Sequence, residues 1–222
     1  MIKAIIFDWG GVLIDNPANG LMEYCAKYLN VDVNRLKNIF SQYESVFQKG
    51  EISEKVLWNK VCTELNINKP SSESLWKKAV KQVFKDKIEV YHLIKLLKKE
   101  GYKIGFLSNT EIPAMEYFFE KGYQKFFDVT LFSCAENTVK PEEKIYNLIL
   151  SKLEVKPEEA IFIDDKLDYI EGAKKVGLNG IVFKTSEQLV KELALYSINI
   201  NVAKIQTVPS VVRLADSPHN TI

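Results

Sequence analysis

Several short apolar runs of this sequence end on residues that can do chemistry. Asp8 follows the run 4–7, and Ser108 and Asn109 follow the run 104–107. Asp164 and Asp165 follow the run 161–163, and Lys140 lies in the stretch after the run 129–132. Apolar runs of this length, bounded by polar residues, fit strands that are buried on both faces of a parallel sheet. Because the carboxyl ends of parallel strands meet at one edge, we expect these polar side chains to share one crevice.

Such a group of side chains suits the transfer of a phosphoryl group to a carboxylate. Asp8 would attack phosphorus and form an aspartyl phosphate. Mg²⁺, held by Asp8, Asp164, Asp165, a backbone carbonyl and waters, would offset the repulsion between this carboxylate and the phosphate. Ser108 and Lys140 would bind the remaining phosphoryl oxygens and stabilise their charge.

The elements that must position these residues alternate in the order typical of a parallel α/β sheet. Beyond the first strand, the predicted strands are 103–107, 129–132, 160–163 and 180–183, and the predicted helices are 112–121, 142–153, 168–176 and 187–196. The stretch 17–86 differs, because its apolar residues recur at helical spacing and it contains no convincing strand. It predicts a helical insertion, with Ser53 as a helix N-cap and with Trp58 and Trp76 in its core.

Composition limits the classes of function. The 222 residues are 46% hydrophobic, and 30 Lys and Arg face 29 Asp and Glu, so no charge imbalance favours nucleic acid or a membrane surface. Cys25, Cys62 and Cys134 are widely spaced and form no CxxC pair, which argues against disulfides or structural zinc and favours the cytoplasm. The amino terminus resembles neither a signal peptide nor a membrane span.

The ordered motifs FDWGGV, LSNT, VKP and FIDD, the last followed by LDYIEGAKKVGLNGI, resemble those of the haloacid dehalogenase superfamily. KGEIS, LSNT, KPEEKIY and IDDKLDYIEGA look most like the sugar-phosphate phosphatase branch typified by bacterial α-D-glucose-1-phosphatase. The resemblance implies a Rossmann-like core (1–15 and 88–197), a helical cap (16–87), Mg²⁺ and phosphomonoester hydrolysis. For the tail 198–222, an added strand, a packing arm and a disordered segment all stay open.

The same resemblance implies roles for the motif residues. By it, Asp8 is the nucleophile and a metal ligand, Gly10 offers its carbonyl to the metal, Ser108 and Asn109 bind phosphate, Lys140 orients nucleophile and phosphate, and Asp164 with Asp165 completes the metal site. The expected partner is a small phosphorylated metabolite, bound by a monomer or a homodimer.

The first motif departs from the superfamily at Gly10. Most phosphatases of the superfamily carry there a second aspartate, which protonates the leaving group and then activates water. Asp15 or the cap residue Glu51 could substitute for it, and the glucose-1-phosphatase branch tolerates a non-acid. Gly10 and Gly11 would let the backbone fold closely around phosphate. Tyr169 is a second departure, since relatives often carry asparagine.

Three alternatives stay open at this point. DWGGV is similar to the DWAGT of phosphonoacetaldehyde hydrolase, which needs a cap lysine to form an imine. The candidates for it are Lys27, Lys37, Lys49, Lys55 and Lys60. A halide-releasing dehalogenase is less favoured, because that chemistry does not need the acidic pair. A catalytically weak or inactive protein of this fold that binds a phosphorylated ligand is the third, and Gly10 is its main support.

Overall fold

The computed structural model describes residues 1–200, and the predictions for the rest of the tail lie outside these residues. A parallel sheet of five strands forms its centre, in the order β3-β2-β1-β4-β5. The strands are β1 Ala4–Phe7, β2 Lys103–Ser108, β3 Val129–Phe132, β4 Ala160–Asp164 and β5 Asn179–Val182. All four residues of β1 are fully buried, as its apolar run predicts for a central strand. The predicted α/β fold with a parallel sheet is confirmed.

Eleven helices accompany the strands within residues 1–200. They are α1 Ala18–Leu29, α2 Val33–Phe40, α3 Glu44–Gln48, α4 Glu54–Leu65, α5 Leu75–Val83, α6 Ile88–Lys99, α7 Ile112–Glu120, α8 Ser133–Glu136, α9 Glu143–Leu153, α10 Leu167–Lys175 and α11 Ser186–Leu195. The strands and helices that were predicted with bounds agree with the structure to within one residue, whereas α6 and the short helix α8 were not predicted. Helices α1 to α5 fill the insertion between β1 and β2, while the exact limits of the cap stay a prediction.

Local capping explains where several helices of the insertion begin. The Ser53 hydroxyl accepts a hydrogen bond from Val56 N at 3.3 Å, which confirms the predicted N-cap of α4. Ser74 caps α5 in the same way, through Lys77 N at 3.0 Å. Such side chains satisfy backbone donors that the first helical turn leaves without partners.

The insertion and the sheet share one apolar core. Leu21 and Trp76 of the insertion belong to the same cluster of buried side chains as Phe7 and Phe106 of the sheet. Trp58 is 3% exposed and Trp76 is 2% exposed, as predicted for core residues. Ile6, on the opposite side of β1, belongs to a second cluster formed with helices α9 and α10. The sheet is therefore buried on both faces.

A polar contact joins the insertion to the loop after β2. The buried hydroxyl of Ser133 donates to Gln48 O at 2.6 Å and accepts from Thr110 N at 2.8 Å. The backbones also approach closely beside it, because a Cβ on Gly50 would lie 2.4 Å from Cys134 O. The end of α3 is thus held against Ser133 at the start of α8 and, through its hydroxyl, against Thr110 of the LSNT motif.

Within residues 1–200, the helices are all too short or too polar to cross a bilayer.

Ser133→Ala should destabilise the fold, because it leaves Thr110 N and Gln48 O buried without their shared partner. We expect the free energy of unfolding in urea to fall by about 1–3 kcal/mol. Ser151→Ala, on the exposed surface of α9, is the matched control and should change it little. Equal free energies of unfolding for the two variants would show that the Ser133 hydrogen bonds do not stabilise the contact between the insertion and the loop after β2.

Candidate active site

The carboxyl edge of the sheet brings the predicted residues together. Asp8 follows β1, while Ser108 and Asp164 are the last residues of β2 and β4. Strand β1 lies between these two strands, in a register that pairs Phe7 with both Phe106 and Ile163. The three side chains therefore meet at one point of the edge.

Lys140 supplies a positive charge at this point. Its Nζ lies 2.7 Å from Asp8 Oδ1 and 2.6 Å from Asp164 Oδ2, and the side chain is fully buried. Burial lowers the pKa of this ammonium, but the charges of Asp164 and Asp8 outweigh it and hold the pKa above its ordinary value. Lys140 is therefore a fixed cation between two carboxylates.

Asn109 holds the backbone of Lys140 in place. Its Oδ1 accepts from Lys140 N at 2.8 Å, and its Nδ2 donates to Lys140 O at 3.1 Å. Both polar atoms of the amide are thus used on Lys140. The phosphate-binding role that the sequence suggests for the Asn109 side chain stays a prediction.

Three carboxylates form a group that fits a divalent cation. One oxygen each of Asp8, Asp164 and Asp165 can be chosen so that all lie within 4.8 Å of one another. Asp165 Oδ2 accepts from Asn16 Nδ2 at 3.1 Å, while its buried Oδ1 has no hydrogen-bond partner among the described residues. Burial and the charge of Asp8 raise the pKa of Asp165. A hard cation with oxygen ligands would satisfy this oxygen, so the residues fit Mg²⁺.

Gly11 lets the first motif pass close to the acidic pair. Its φ is +82°, and a Cβ there would lie 2.2 Å from Asp165 Oδ2. The turn is closed by Leu13 N, which donates to Trp9 O at 2.8 Å. Glycine is thus needed here for both backbone conformation and space.

A cavity of about 340 Å³ opens beside Asp8. Its wall includes Gly10, Ser108, Asn109 and Lys140 from the sheet edge, and Asn19, Lys37, Phe40, Ser41, Glu44, Gln48 and Trp76 from the insertion. Asp15 and Glu51, the suggested substitutes for the missing acid, are both exposed and do not line it. Trp76 has a second role that its helical spacing did not reveal, since it is both a core residue and part of this wall.

Among the charged residues of the cavity wall that sequence reasoning missed, Lys166 and Glu111 adjoin two of the motifs. Lys166 directly follows the FIDD motif, and its backbone N donates to Asp164 Oδ1 at 2.9 Å. Glu111 directly follows LSNT and is 7% exposed. Their adjacency to these motifs was the available signal.

Tyr169, the second departure from the family pattern, also lines the cavity. Lys140 Nζ and Lys166 Nζ both lie 4.9 Å from the centre of its ring. Its hydroxyl accepts from Asn109 Nδ2 at 3.4 Å. The tyrosine therefore packs between the two lysines of the sheet edge and contributes cation–π contacts.

A family model of haloacid dehalogenase-like hydrolases matches residues 2–177. The protein is thus of the α/β class, with an acidic group at the sheet edge that could hold a metal ion, and it belongs to the haloacid dehalogenase-like hydrolase family.

Curated relatives include phosphatases. A sesquiterpene phosphatase of Aspergillus oryzae is 26% identical, over 86% of this chain and 94% of its own. A phosphorylated carbohydrates phosphatase of Thermotoga maritima is also 26% identical, over 81% of this chain and 84% of its own. Acyl-CoA dehydrogenase family member 10 of the mouse is 28% identical over 86% of this chain, but the match spans only 19% of that protein.

A solved structure shares the fold. It is a haloacid dehalogenase family enzyme of Bacteroides thetaiotaomicron, in complex with magnesium and inorganic phosphate. The TM-score is 0.68 at 21% identity, and the match covers 84% of this chain and 96% of the other.

Mg²⁺ should raise the thermal unfolding temperature, because a cation that binds only the folded state stabilises it by mass action. At a concentration one hundredfold above Kd the gain is about 3 kcal/mol. Asp165→Asn should abolish most of this shift, whereas Asp168→Asn, an exposed residue in the first turn of α10, should retain it. The unfolding temperatures are measured by scanning fluorimetry. An equal shift on addition of Mg²⁺ in both variants would contradict the metal assignment.

Proposed function

We propose that this protein is a Mg²⁺-dependent phosphatase of small phosphomonoesters that acts through an aspartyl phosphate, and that sugar phosphates are its substrates. The observation that carries the proposal is the buried Lys140, in contact with both Asp8 and Asp164 at the wall of a cavity. A carboxylate held by a cation beside further metal-binding oxygens suits attack on phosphorus. Membership of the hydrolase family and the phosphatases among the relatives support the same chemistry.

Asp8 is the nucleophile in this proposal. One of its oxygens forms a bond to phosphorus while the bond between phosphorus and the leaving-group oxygen breaks, and that oxygen takes up a proton from solvent water. A water molecule then attacks phosphorus in the aspartyl phosphate, the bond between phosphorus and the Asp8 oxygen breaks, and the proton of the attacking water passes to solvent as phosphate and the free Asp8 carboxylate are released. Lys140, in contact with Asp8 Oδ1, orients this side chain for the attack.

Ser108 is placed to bind a phosphoryl oxygen. Its Oγ accepts from Thr110 Oγ1 at 2.8 Å and donates to Asn109 O at a long distance of 3.5 Å. A phosphoryl oxygen would compete readily with that weak acceptor. Asp8, Asp164, Asp165 and the Gly10 carbonyl would hold Mg²⁺, which neutralises phosphoryl charge when bound.

The insertion side of the cavity favours a polar leaving group. Asn19, Lys37, Ser41, Glu44 and Gln48 all line it there, and they offer donors and acceptors for hydroxyl groups. The relative from Thermotoga maritima supports sugar phosphates by its name. We place the protein in the cytoplasm, where its three cysteines, all free in the structure, would stay reduced.

A second candidate is a phospho-ligand binding protein without turnover. The specific observation in its favour is Gly10, which leaves the first motif without its second acid.

The imine chemistry of phosphonoacetaldehyde hydrolase would fall to Lys37, since the other four suggested lysines do not line the cavity. Lys37 Nζ donates to Asn19 Oδ1 at 2.9 Å.

A screen of phosphomonoesters with Mg²⁺ tests the proposed function, with released phosphate as the readout. We expect turnover of sugar phosphates by the wild type and a loss of at least about a thousandfold in Asp8→Asn, because an amide is a poor nucleophile. Asp15→Asn, at an exposed residue outside the cavity, should remain active. Absence of wild-type turnover on every ester, with the ligands still bound, would favour the binding-only candidate.

Gly10→Asp should restore a proton donor to the first motif. The backbone allows it, because Gly10 is not among the glycines with positive φ. A Cβ there would lie 3.2 Å from Pro17 Cδ, a tight contact that requires the proline to shift slightly. We expect kcat on alkyl phosphates to rise by up to about a hundredfold, and kcat on activated aryl phosphates to rise less.

Gly10→Asn is the control of matched size and should leave the ratio of alkyl to aryl rates unchanged. If Gly10→Asp also leaves the ratio unchanged, proton transfer is already supplied elsewhere in the wild type.

A further inference from the structure

One buried carboxyl group of the cavity has no part in the proposed mechanism. Glu111 is the N-cap residue of α7, three positions after Ser108, and lines the same cavity as Asp8. It is 7% exposed, whereas Glu44, the other glutamate of the wall, is exposed. A charged group this buried requires partners.

Two side chains of the insertion hold Glu111 in place. Trp76 Nε1 donates to Oε2 at 3.1 Å, and Gln48 Nε2 donates to Oε1 at 3.3 Å. Both partners are donors, so their hydrogen bonds favour the carboxylate form over the neutral acid. A carboxylate has about four lone-pair sites, so these two donors do not exhaust its capacity to accept hydrogen bonds.

No cation neutralises this carboxylate. Among residues 1–200, no lysine, arginine or histidine nitrogen lies within ion-pair distance of Glu111. Burial raises the pKa of the group to about 7, against the hydrogen bonds from Trp76 and Gln48, and the charge of Glu44 raises it further. A donor on a bound ligand would offset this cost.

The charges of the cavity are arranged unevenly. At the sheet edge, Lys140 and Lys166 lie beside the acidic group of Asp8, Asp164 and Asp165, which a bound Mg²⁺ would neutralise, whereas the opposite side of the cavity combines Glu111 and Glu44 with the ammonium of Lys37. With the cation bound, a phosphate at the edge would be attracted, and a second anion near Glu111 would be repelled, strongly so where water is excluded.

We propose that Glu111 determines which leaving groups the enzyme accepts: it binds a hydroxyl or amine of the leaving group and rejects one that carries a second phosphate. This assignment rests on the proposed phosphatase function and names the class of its substrates as hydroxylated monophosphates rather than bisphosphates.

The position of Glu111 relative to the phosphate site is fixed by the fold. Thr110 connects the two, since its Oγ1 donates to Ser108 Oγ at 2.8 Å and its N donates to Ser133 Oγ at 2.8 Å. The selected hydroxyl must therefore lie at one particular distance from phosphorus. Its location can be measured with substrates of graded length.

The test uses three homologous series of phosphomonoesters: n-alkyl phosphates, the same chains with a terminal hydroxyl, and the same chains with a terminal phosphate. We measure kcat/KM with Mg²⁺ for the wild type and for Glu111→Ala, Glu111→Gln and Glu116→Gln. Glu116 is the matched control, because it lies on α7, is exposed and lies outside the cavity wall. Turnover of p-nitrophenyl phosphate reports on the reaction centre.

At one chain length, we expect kcat/KM of the wild type and of Glu116→Gln to be about tenfold or more higher for the ester with a terminal hydroxyl than for the n-alkyl ester. Glu111→Ala should abolish that preference. Both Glu111 variants should accept the bisphosphate at least about tenfold better relative to the hydroxyl. Glu111→Gln keeps the shape of the side chain, so it reports the effect of charge even if the alanine variant is unstable.

Unchanged ratios in folded Glu111 variants that turn over p-nitrophenyl phosphate would overturn the assignment and leave the phosphatase function intact. If the wild type turned over none of the esters, the proposed function would be refuted, and the assignment with it.

Discussion

The buried ammonium of Lys140, between Asp8 and Asp164, is the interaction on which the active edge depends. Two carboxylates at the ends of neighbouring strands repel each other, and Asp165 adds a third negative charge nearby. Lys140 relieves part of this repulsion through contacts of 2.7 and 2.6 Å. The acidic group still carries more negative than positive charge, and this excess is what makes it a site for a divalent cation.

Much of the surrounding structure serves to hold that ammonium. The side chain of Asn109 forms hydrogen bonds with both the backbone N and the backbone O of Lys140, and the ring of Tyr169 makes a cation–π contact with its ammonium. Gly11 provides the space that Asp165 needs, because any side chain there would collide with its carboxylate. Removal of Lys140 or of one of its carboxylate partners would leave a buried charge uncompensated, which is costly in a protein interior.

The sheet and its edge could be predicted from the sequence because they depend on local patterns. The run Ala4 to Phe7 has no polar residue, so it had to be a strand covered on both faces, and parallel strands place their last residues on one edge. The convergence of Asp8, Ser108 and Asp164 follows from that rule alone, whereas Lys140 reaches the edge from the loop after α8. The predicted N-cap at Ser53 was equally local.

The insertion side of the cavity could not be predicted, because it depends on packing between distant segments. Glu111 meets Gln48 and Trp76 from 63 and 35 positions away, and no periodicity encodes such a contact. Trp76 was assigned to the core by its spacing, which does not show that one edge of its ring reaches a cavity. The hydrogen bonds of the Asn109 side chain to the backbone of Lys140, 31 positions away, were likewise not predicted.

The central claim is that Asp8 carries the phosphoryl group, and chemical trapping tests it most directly. The enzyme is mixed with Mg²⁺ and excess substrate, quenched, reduced with sodium borohydride and digested for peptide mass spectrometry. Borohydride converts an aspartyl phosphate to homoserine, so the account predicts homoserine at position 8 in the wild type, and none without substrate or in Asp8→Asn. Steady turnover with position 8 unmodified, or with the label on another residue, would contradict it.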